Sequence, residues 1–236
     1  LPKRYWWVII SYLIMQFSVF LMAPLLYRLL PISIEQASIY WSITSFILGM
    51  IVVILLLRPD MKMTRSHEAS PVGVAVAWSI IGVFMAYAAQ FIAALLEMGI
   101  FGIQPGSENT QGIMDIARAT PLFILIPAII APVLEEIIFR KIIFGELYKR
   151  TNFFIAALIS AFIFGIIHGE PQHIIVYGSM GLVFAFLYVK TKRILVPIFV
   201  HAAMNTIVVL VQYNLTPEDI ERMQKNLQDM QAIIFG

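Results

Sequence analysis

The chain has 236 residues, 60% of them hydrophobic and only 13% charged, with a mean hydropathy of +0.87. A soluble domain is roughly 45–50% apolar and about 25% charged, so a core of this size cannot hide the surplus and the chain reads as an integral membrane protein. Sixteen Lys and Arg against fourteen Asp and Glu leave no basic surface for nucleic acid, and the lack of Cys excludes disulfides, thiol nucleophiles and thiolate metal sites.

A spanning helix needs about 20 predominantly apolar residues, and the candidates in chain order are 5–27, 38–57, 74–96, 121–140, 152–168, 173–189 and 194–212. The first follows Lys3 and Arg4 in the manner of a signal peptide, but it is too long for one and lacks a small-residue cleavage site. The polar stretch 97–120 reads as a loop with a short helix over 109–118. Two of the later spans, 152–168 and 173–189, are short and flank Pro171. In the tail, Thr216-Pro217-Glu218-Asp219 has helix-start chemistry, and Ile220, Met223, Leu227, Met230 and Ile234 recur at helical spacing, which predicts an amphipathic helix over 214–236. The expected architecture is all-α: one integral membrane domain over 1–236, a polytopic bundle of about seven spans (six to eight).

Alternate connections carry twelve of the sixteen Lys and Arg, including Lys3, Arg4, Arg58, Lys141, Lys149 and Arg193. The positive-inside rule therefore puts the N-terminus in the cytoplasm, the tail outside, and substrate access in the cytoplasmic half.

Ionisable groups inside a bilayer cost at least ~2.5–3.5 kcal/mol each on insertion scales. They concentrate in three places: Glu135, Glu136 and Arg140; His168; and His201 with Asn205. Glu136 and Arg140 are spaced i,i+4 with the acid first, the better order for an ion pair. Glu135 points about 100° away on the same helix and is left free for proton transfer. Measured from a turn at 150–152, Glu135 lies about 22 Å and His168 about 24 Å along adjacent antiparallel helices at 1.5 Å per residue. His201 fits less well, at about 12 Å from Arg193, unless the 141–152 hairpin protrudes past the bilayer.

A carboxylate, two imidazoles and a carboxamide in a low-dielectric pocket suit amide hydrolysis. Glu135, alone or with His168, would deprotonate a water, while His201 and Asn205 donate to the oxyanion. In the competing scheme no residue acts alone: Glu135, His168 and His201 hold a divalent ion such as zinc, with water in its open position. Each group by itself has a plainer explanation. An i,i+4 pair is often structural, and a single intramembrane His usually serves helix–helix bonding. Their conjunction on three helices is what favours chemistry. His67 and His173 fall in connections, where His173 reads as a local hydrogen-bond partner, and Ser179 reads as a small packing residue. No His-Glu-x-x-His, Gly-x-Ser-Gly or intramembrane Asp pair occurs, which removes three other protease schemes.

Glu135-Glu136-x-x-x-Arg140, Phe164-x-x-x-His168 and His201-x-x-x-Asn205, in this order within 121–212, resemble the three motifs of the CAAX prenyl protease and bacteriocin-processing (CPBP, Abi) family of intramembrane endopeptidases. The resemblance implies catalytic roles for Glu135, His168, His201 and Asn205, and supporting roles for Glu136, Arg140 and Phe164. It leaves the choice between a metal-free glutamate mechanism and a metal-dependent one open. It further implies a bacterial-type member of the plasma membrane acting on a hydrophobic or membrane-associated peptide rather than a prenylated one. The alternatives are a non-catalytic peptide-binding, immunity or scaffold protein and, third, a proton-coupled transporter, for which internal repeats are lacking.

Overall fold

The computed structural model describes residues 1–62, 68–104, 106–215 and seven residues of the tail (218, 219, 222, 223, 225, 226 and 229). His67 and most of the helix expected over 214–236 lie outside the described residues. The helices are α1 (Lys3–Phe17), α2 (Val19–Leu29), α3 (Ile34–Leu56), the single turn α4 (Arg58–Lys62), α5 (Val72–Phe101), α6 (Glu108–Ala119), the composite α7 (Pro121–Tyr148), α8 (Phe153–Ile167), α9 (Ile174–Thr191) and α10 (Leu195–Asn214). No strand occurs among the described residues.

All seven apolar segments are helical, but their lengths depart from the sequence expectation. Five helices are long and apolar enough to cross a membrane, and α1 with α2 makes a sixth bent by 45°. The break in the expected 5–27 span falls at Ser18, whose hydroxyl turns back to the Met15 carbonyl and accepts from Trp41 of α3. Pro24, inside α2, also lacks an amide donor. The fifth segment, α8, has only 15 residues. The fourth is longer than expected, running to Tyr148 rather than ending at 140.

Helix boundaries follow their local chemistry. Ser33 and Gln36 form a reciprocal capping box at the start of α3. Asn152 caps α8 by accepting from the Ile155 amide. The buried face of α8 is Ala156, Ala157, Ser160, Ala161, Phe164 and Gly165, while Phe154, Leu158 and Phe162 are exposed at i,i+4 spacing. Small residues bring backbones together where lipid supplies no hydrophobic drive. Ser160 donates across that face to the Phe139 carbonyl of α7 at 2.7 Å. On α9, Gly181 is needed at the contact with α8: a Cβ there would lie 2.9 Å from the Ala161 Cβ.

At the end of the bundle bearing the basic connections, buried Asp60 gathers Arg4 (2.6 Å), the Tyr5 hydroxyl (2.7 Å) and Lys141 (3.1 Å). Burial alone would raise its carboxyl pKa, but the hydrogen bonds from Tyr5, Lys141 and Arg4 overcome that and hold it below the ordinary value. This hub ties α1 to the far end of α7.

Candidate active site

The site is built on irregular helix. Within α7, a 3₁₀ turn over Pro121–Ile124 and a π-helical turn over Ile126–Ile130 lead into α-helix at Ala131–Glu136, and Ile137–Phe144 is again π-helical. Two prolines explain the first π turn. The Ala131 N–H goes five residues back to the Ile126 carbonyl, so it does not serve Pro127, its partner in an α-helix. The donor one residue further on would be Pro132, which has no N–H. The orphaned Pro127 carbonyl is met instead from another helix: Asn205 of α10 donates to it from Nδ2 at 2.9 Å. π turns recur at functional sites, and here the turn delivers Glu135 and Glu136 to opposite tasks.

Glu136 is fully buried beside the fully buried Arg140, with Nε 3.1 Å from Oε2 but off the line of a good hydrogen bond, so the contact is chiefly electrostatic. The guanidinium carbon also lies 4.4 Å from the ring centre of Phe164 and 5.1 Å from that of Phe184. Aromatic faces thus meet charge that few hydrogen bonds satisfy. The second Glu136 oxygen accepts from His201 Nδ1 at 2.9 Å. With the proton of that bond on Nδ1, the other nitrogen, Nε2, faces Glu135 Oε2 at 3.7 Å. His201 therefore bridges both carboxylates, although helical rise from Arg193 alone does not place it at their height.

His168 closes α8. Its Nδ1 lies 2.7 Å from the Phe164 carbonyl, which can only accept, so the proton sits on Nδ1 and Nε2 is left as a base. Phe164 meets the His168 ring at 4.4 Å, stands 5.9 Å from His201 and faces Arg140, so one aromatic side chain touches three motif residues. A cavity of about 570 Å³ is lined by Glu135, His168, His201 and Asn205 together. Glu135 is the more accessible acid, its side chain 15% exposed against 0% for Glu136.

Comparison with known proteins follows this geometry. Residues 117–207, which contain all four cavity residues just named, match the model of the family described as Type II CAAX prenyl endopeptidase Rce1-like. The chain is 46% identical to the "Putative membrane peptidase YdiL" of Bacillus subtilis (strain 168), over 99% of this chain and 98% of the relative. It belongs to the CAAX prenyl protease family. A second relative, "Membrane-embedded CAAX protease MroQ" of Staphylococcus aureus (strain USA300), is 34% identical over 81% of this chain and 80% of its own. The "UPF0177 protein YxdF" of Lactococcus lactis (strain IL1403) is 28% identical over 54% of this chain and 72% of its own. No solved structure matches. At family level this CAAX protease relative is a multi-pass membrane peptidase.

Whether these residues suit a metal ion can be tested on their arrangement. Among the described residues no three His, Asp or Glu side chains are grouped so as to hold one. One nitrogen of each candidate imidazole is engaged, by Glu136 and by the Phe164 carbonyl, which leaves the other available; metal-ligating and proton-transferring imidazoles share this pattern. As placed, Glu135, His168 and His201 do not form a metal's ligand set.

The cavity of this CAAX protease-family chain extends well beyond the motif residues. It reaches Gln104, Ser107 and Asn109 before and within α6, at the end of the bundle opposite the basic connections. The sequence-based expectation of access from the cytoplasmic half does not anticipate this direction. Two further carboxylates guard that end. Glu97, 2% exposed, accepts from the Ile175 and Val176 amides at the start of α9 and pairs with His173 at 2.8 Å, so His173 is indeed a local partner. Glu170, 5% exposed, accepts from the Ser107 hydroxyl (2.8 Å), the Asn109 amide (3.1 Å) and the Tyr177 hydroxyl. Burial alone would raise the Glu170 pKa, but these donors, Tyr177 foremost, hold it below the ordinary value. Sequence reading missed both acids because they sit at helix ends, where polar residues pass as connection.

Proposed function

We propose that the chain is an intramembrane endopeptidase that hydrolyses a peptide bond in a hydrophobic or membrane-associated peptide, with Glu135 as the general base. The observation that carries this reading is the shared cavity: Glu135 and the free Nε2 of His168 border it, while Glu136 and Arg140 lie sealed behind. A water held between Glu135 and His168 gives its proton to the carboxylate, and its oxygen attacks the scissile carbonyl carbon. The Asn205 N–H not used by Pro127 donates to the resulting oxyanion, and His201 does so when Nε2 is protonated from Glu135. The proton returns to the leaving amine as the C–N bond breaks. Glu136 and Arg140 take no proton and fix the rotation of α7 and the tautomer of His201.

The cavity wall suits an extended peptide. Carboxamides and hydroxyls such as Gln104, Ser107 and Asn109 line its mouth and can pair with main-chain groups, while Phe123, Ile126 and Met180 line its interior. With the N-terminus in the cytoplasm, as the Lys and Arg distribution favours, this mouth faces outward, and substrate enters from the non-cytoplasmic half.

The test is comparative peptidomics of membranes from cells carrying the wild-type chain and Glu135→Gln. A peptide present only with the wild type, and absent again with a folded His168→Ala, supports hydrolysis and identifies the substrate. Identical peptide sets with retained biological activity would instead support a peptide-binding protein.

A further inference from the structure

Outside the motif residues, one aromatic contact to His168 stands out. The Tyr177 ring stacks on the His168 imidazole, with centroids 4.2 Å apart and planes 27° from parallel. Its hydroxyl donates to Glu170. Glu170 is buried, and its two oxygens accept three donors from two further places: Ser107 and Asn109 at the start of α6, and Tyr177 of α9. Gly169, at φ +75°, turns the chain immediately after His168 so that Glu170 reaches back beneath Tyr177. A side chain at that φ is disfavoured, so the turn that ends α8 also supplies the anchor for the ring on His168.

Without such support the imidazole has one tether, the 2.7 Å contact from Nδ1 to the Phe164 carbonyl, and an edge contact from the Phe164 ring. A ring held by one hydrogen bond can rotate and exchange which nitrogen faces the cavity. Rotation about χ2 is broad and roughly two-fold for His. Stacking restricts that rotation, and the Tyr177 hydroxyl, tied to a carboxylate, keeps the stacking ring in place. All three groups on Glu170 donate, which suits a carboxylate that only accepts, and these bonds hold its pKa below the ordinary value.

We infer that Tyr177 and Glu170 are positioning residues: Glu170 anchors Tyr177, Tyr177 holds His168 with Nε2 toward the cavity, and the same carboxylate docks the start of α6 at the cavity mouth. The mouth and the base are thereby linked through one side chain. Displacing Ser107 and Asn109, as an entering peptide would, changes the donors on the carboxylate that steadies His168. As a statement about catalysis this rests on the role proposed for His168; as a statement about structure it does not.

The chain contains four histidines, so full-length protein labelled with ¹⁵N-histidine in detergent micelles gives a small set of side-chain signals. Long-range ¹H–¹⁵N correlations report which ring nitrogen bears the proton, and His168→Asn assigns the His168 signal. In the wild type His168 is expected as the single Nδ1–H tautomer. Tyr177→Phe keeps the ring but cuts the tie, and Glu170→Gln leaves the tie with fewer acceptor sites. Both are expected to give the same mixture of tautomers at His168, with the double variant no worse than either single one. Tyr177→Ala is expected to give the fullest averaging, and the His201 signal, set by Glu136, is expected to stay fixed in all four as a control for folding. An unaltered single tautomer at His168 in folded Tyr177→Ala overturns the inference. So does additive loss in the Tyr177→Phe, Glu170→Gln pair. No substrate enters this measurement. A failed peptidomics comparison would therefore remove the protease reading and leave the positioning result standing, and the reverse also holds.

Discussion

Replacing Asn205 by alanine removes the donor that serves the Pro127 carbonyl at 2.9 Å, and no backbone donor of α7 can take its place. Ala131 is committed to Ile126, and Pro132 has no N–H. A buried acceptor left unmet costs about 1–3 kcal/mol, whereas interhelical bonds in bilayers average ~0.6 and reach ~1.7 kcal/mol. This bond is part-buried at the cavity wall, so the loss should fall near the upper membrane value rather than above it, about 1–2 kcal/mol. Pro132→Ala supplies an N–H five residues after Pro127, in the π register the segment already follows. In that background Asn205→Ala should cost less than ~0.5 kcal/mol, a coupling of about 1 kcal/mol, which double-mutant cycles resolve. The assay is reversible unfolding of the four proteins in mixed detergent micelles, followed by helicity; loss of the Pro132 ring cancels around the cycle. Equal costs of Asn205→Ala in both backgrounds would refute the reasoning and return Asn205 to a purely chemical role.

The fully buried Arg140–Glu136 pair gives a second outcome: Arg140→Met alone should destabilise by about 3–5 kcal/mol by stranding the carboxylate, and Glu136→Gln added to it should recover much of that, read in the same unfolding assay. Because the chain has no Cys, single cysteines report topology cleanly. Gln111→Cys, on α6, should react with a membrane-impermeant maleimide in intact cells, and Lys149→Cys only after permeabilisation; the opposite pattern inverts the orientation and turns the cavity mouth inward. Asp60 and Glu170 both have carboxyl pKa values held below the ordinary range. Their contribution to stability is therefore complete above the unfolded value of about 4 and is lost as pH falls through the lower folded values. A melting-temperature profile should fall in acid and flatten there in Asp60→Asn and Glu170→Gln; profiles that match the wild type's acid limb would contradict it.

How much of this was legible in the sequence varies with the kind of interaction. The Glu136–Arg140 pair follows from i,i+4 spacing alone, and the apolar runs located every long helix. The small-residue face of α8 and the i+4 link from the Phe164 carbonyl to His168 follow from helical periodicity as well. Neither the meeting of His201 with both acids, which helical rise from the flanking loops leaves about 10 Å apart, nor the two π-helical stretches of α7 follow that way. The spacing of Pro127 and Pro132 was the available signal for the first of these stretches. Glu97, Glu170 and Tyr177 were illegible for another reason: their partners are helix starts and rings far off in the chain, and nothing local marks a polar residue at a helix end as buried.

The shortness of α8 carries a consequence for the surrounding lipid. Its 15 residues rise about 22 Å, whereas the hydrocarbon layer is about 30 Å thick. Lipid tails against the exposed Phe154, Leu158, Phe162 and Ile166 would meet such a mismatch by shortening, with thinning of the bilayer beside the helix. His168 ends that helix, so the thinned region would lie beside the cavity. Headgroups and their hydration shell would be brought closer to His168, and with them the water that the proposed hydrolysis consumes.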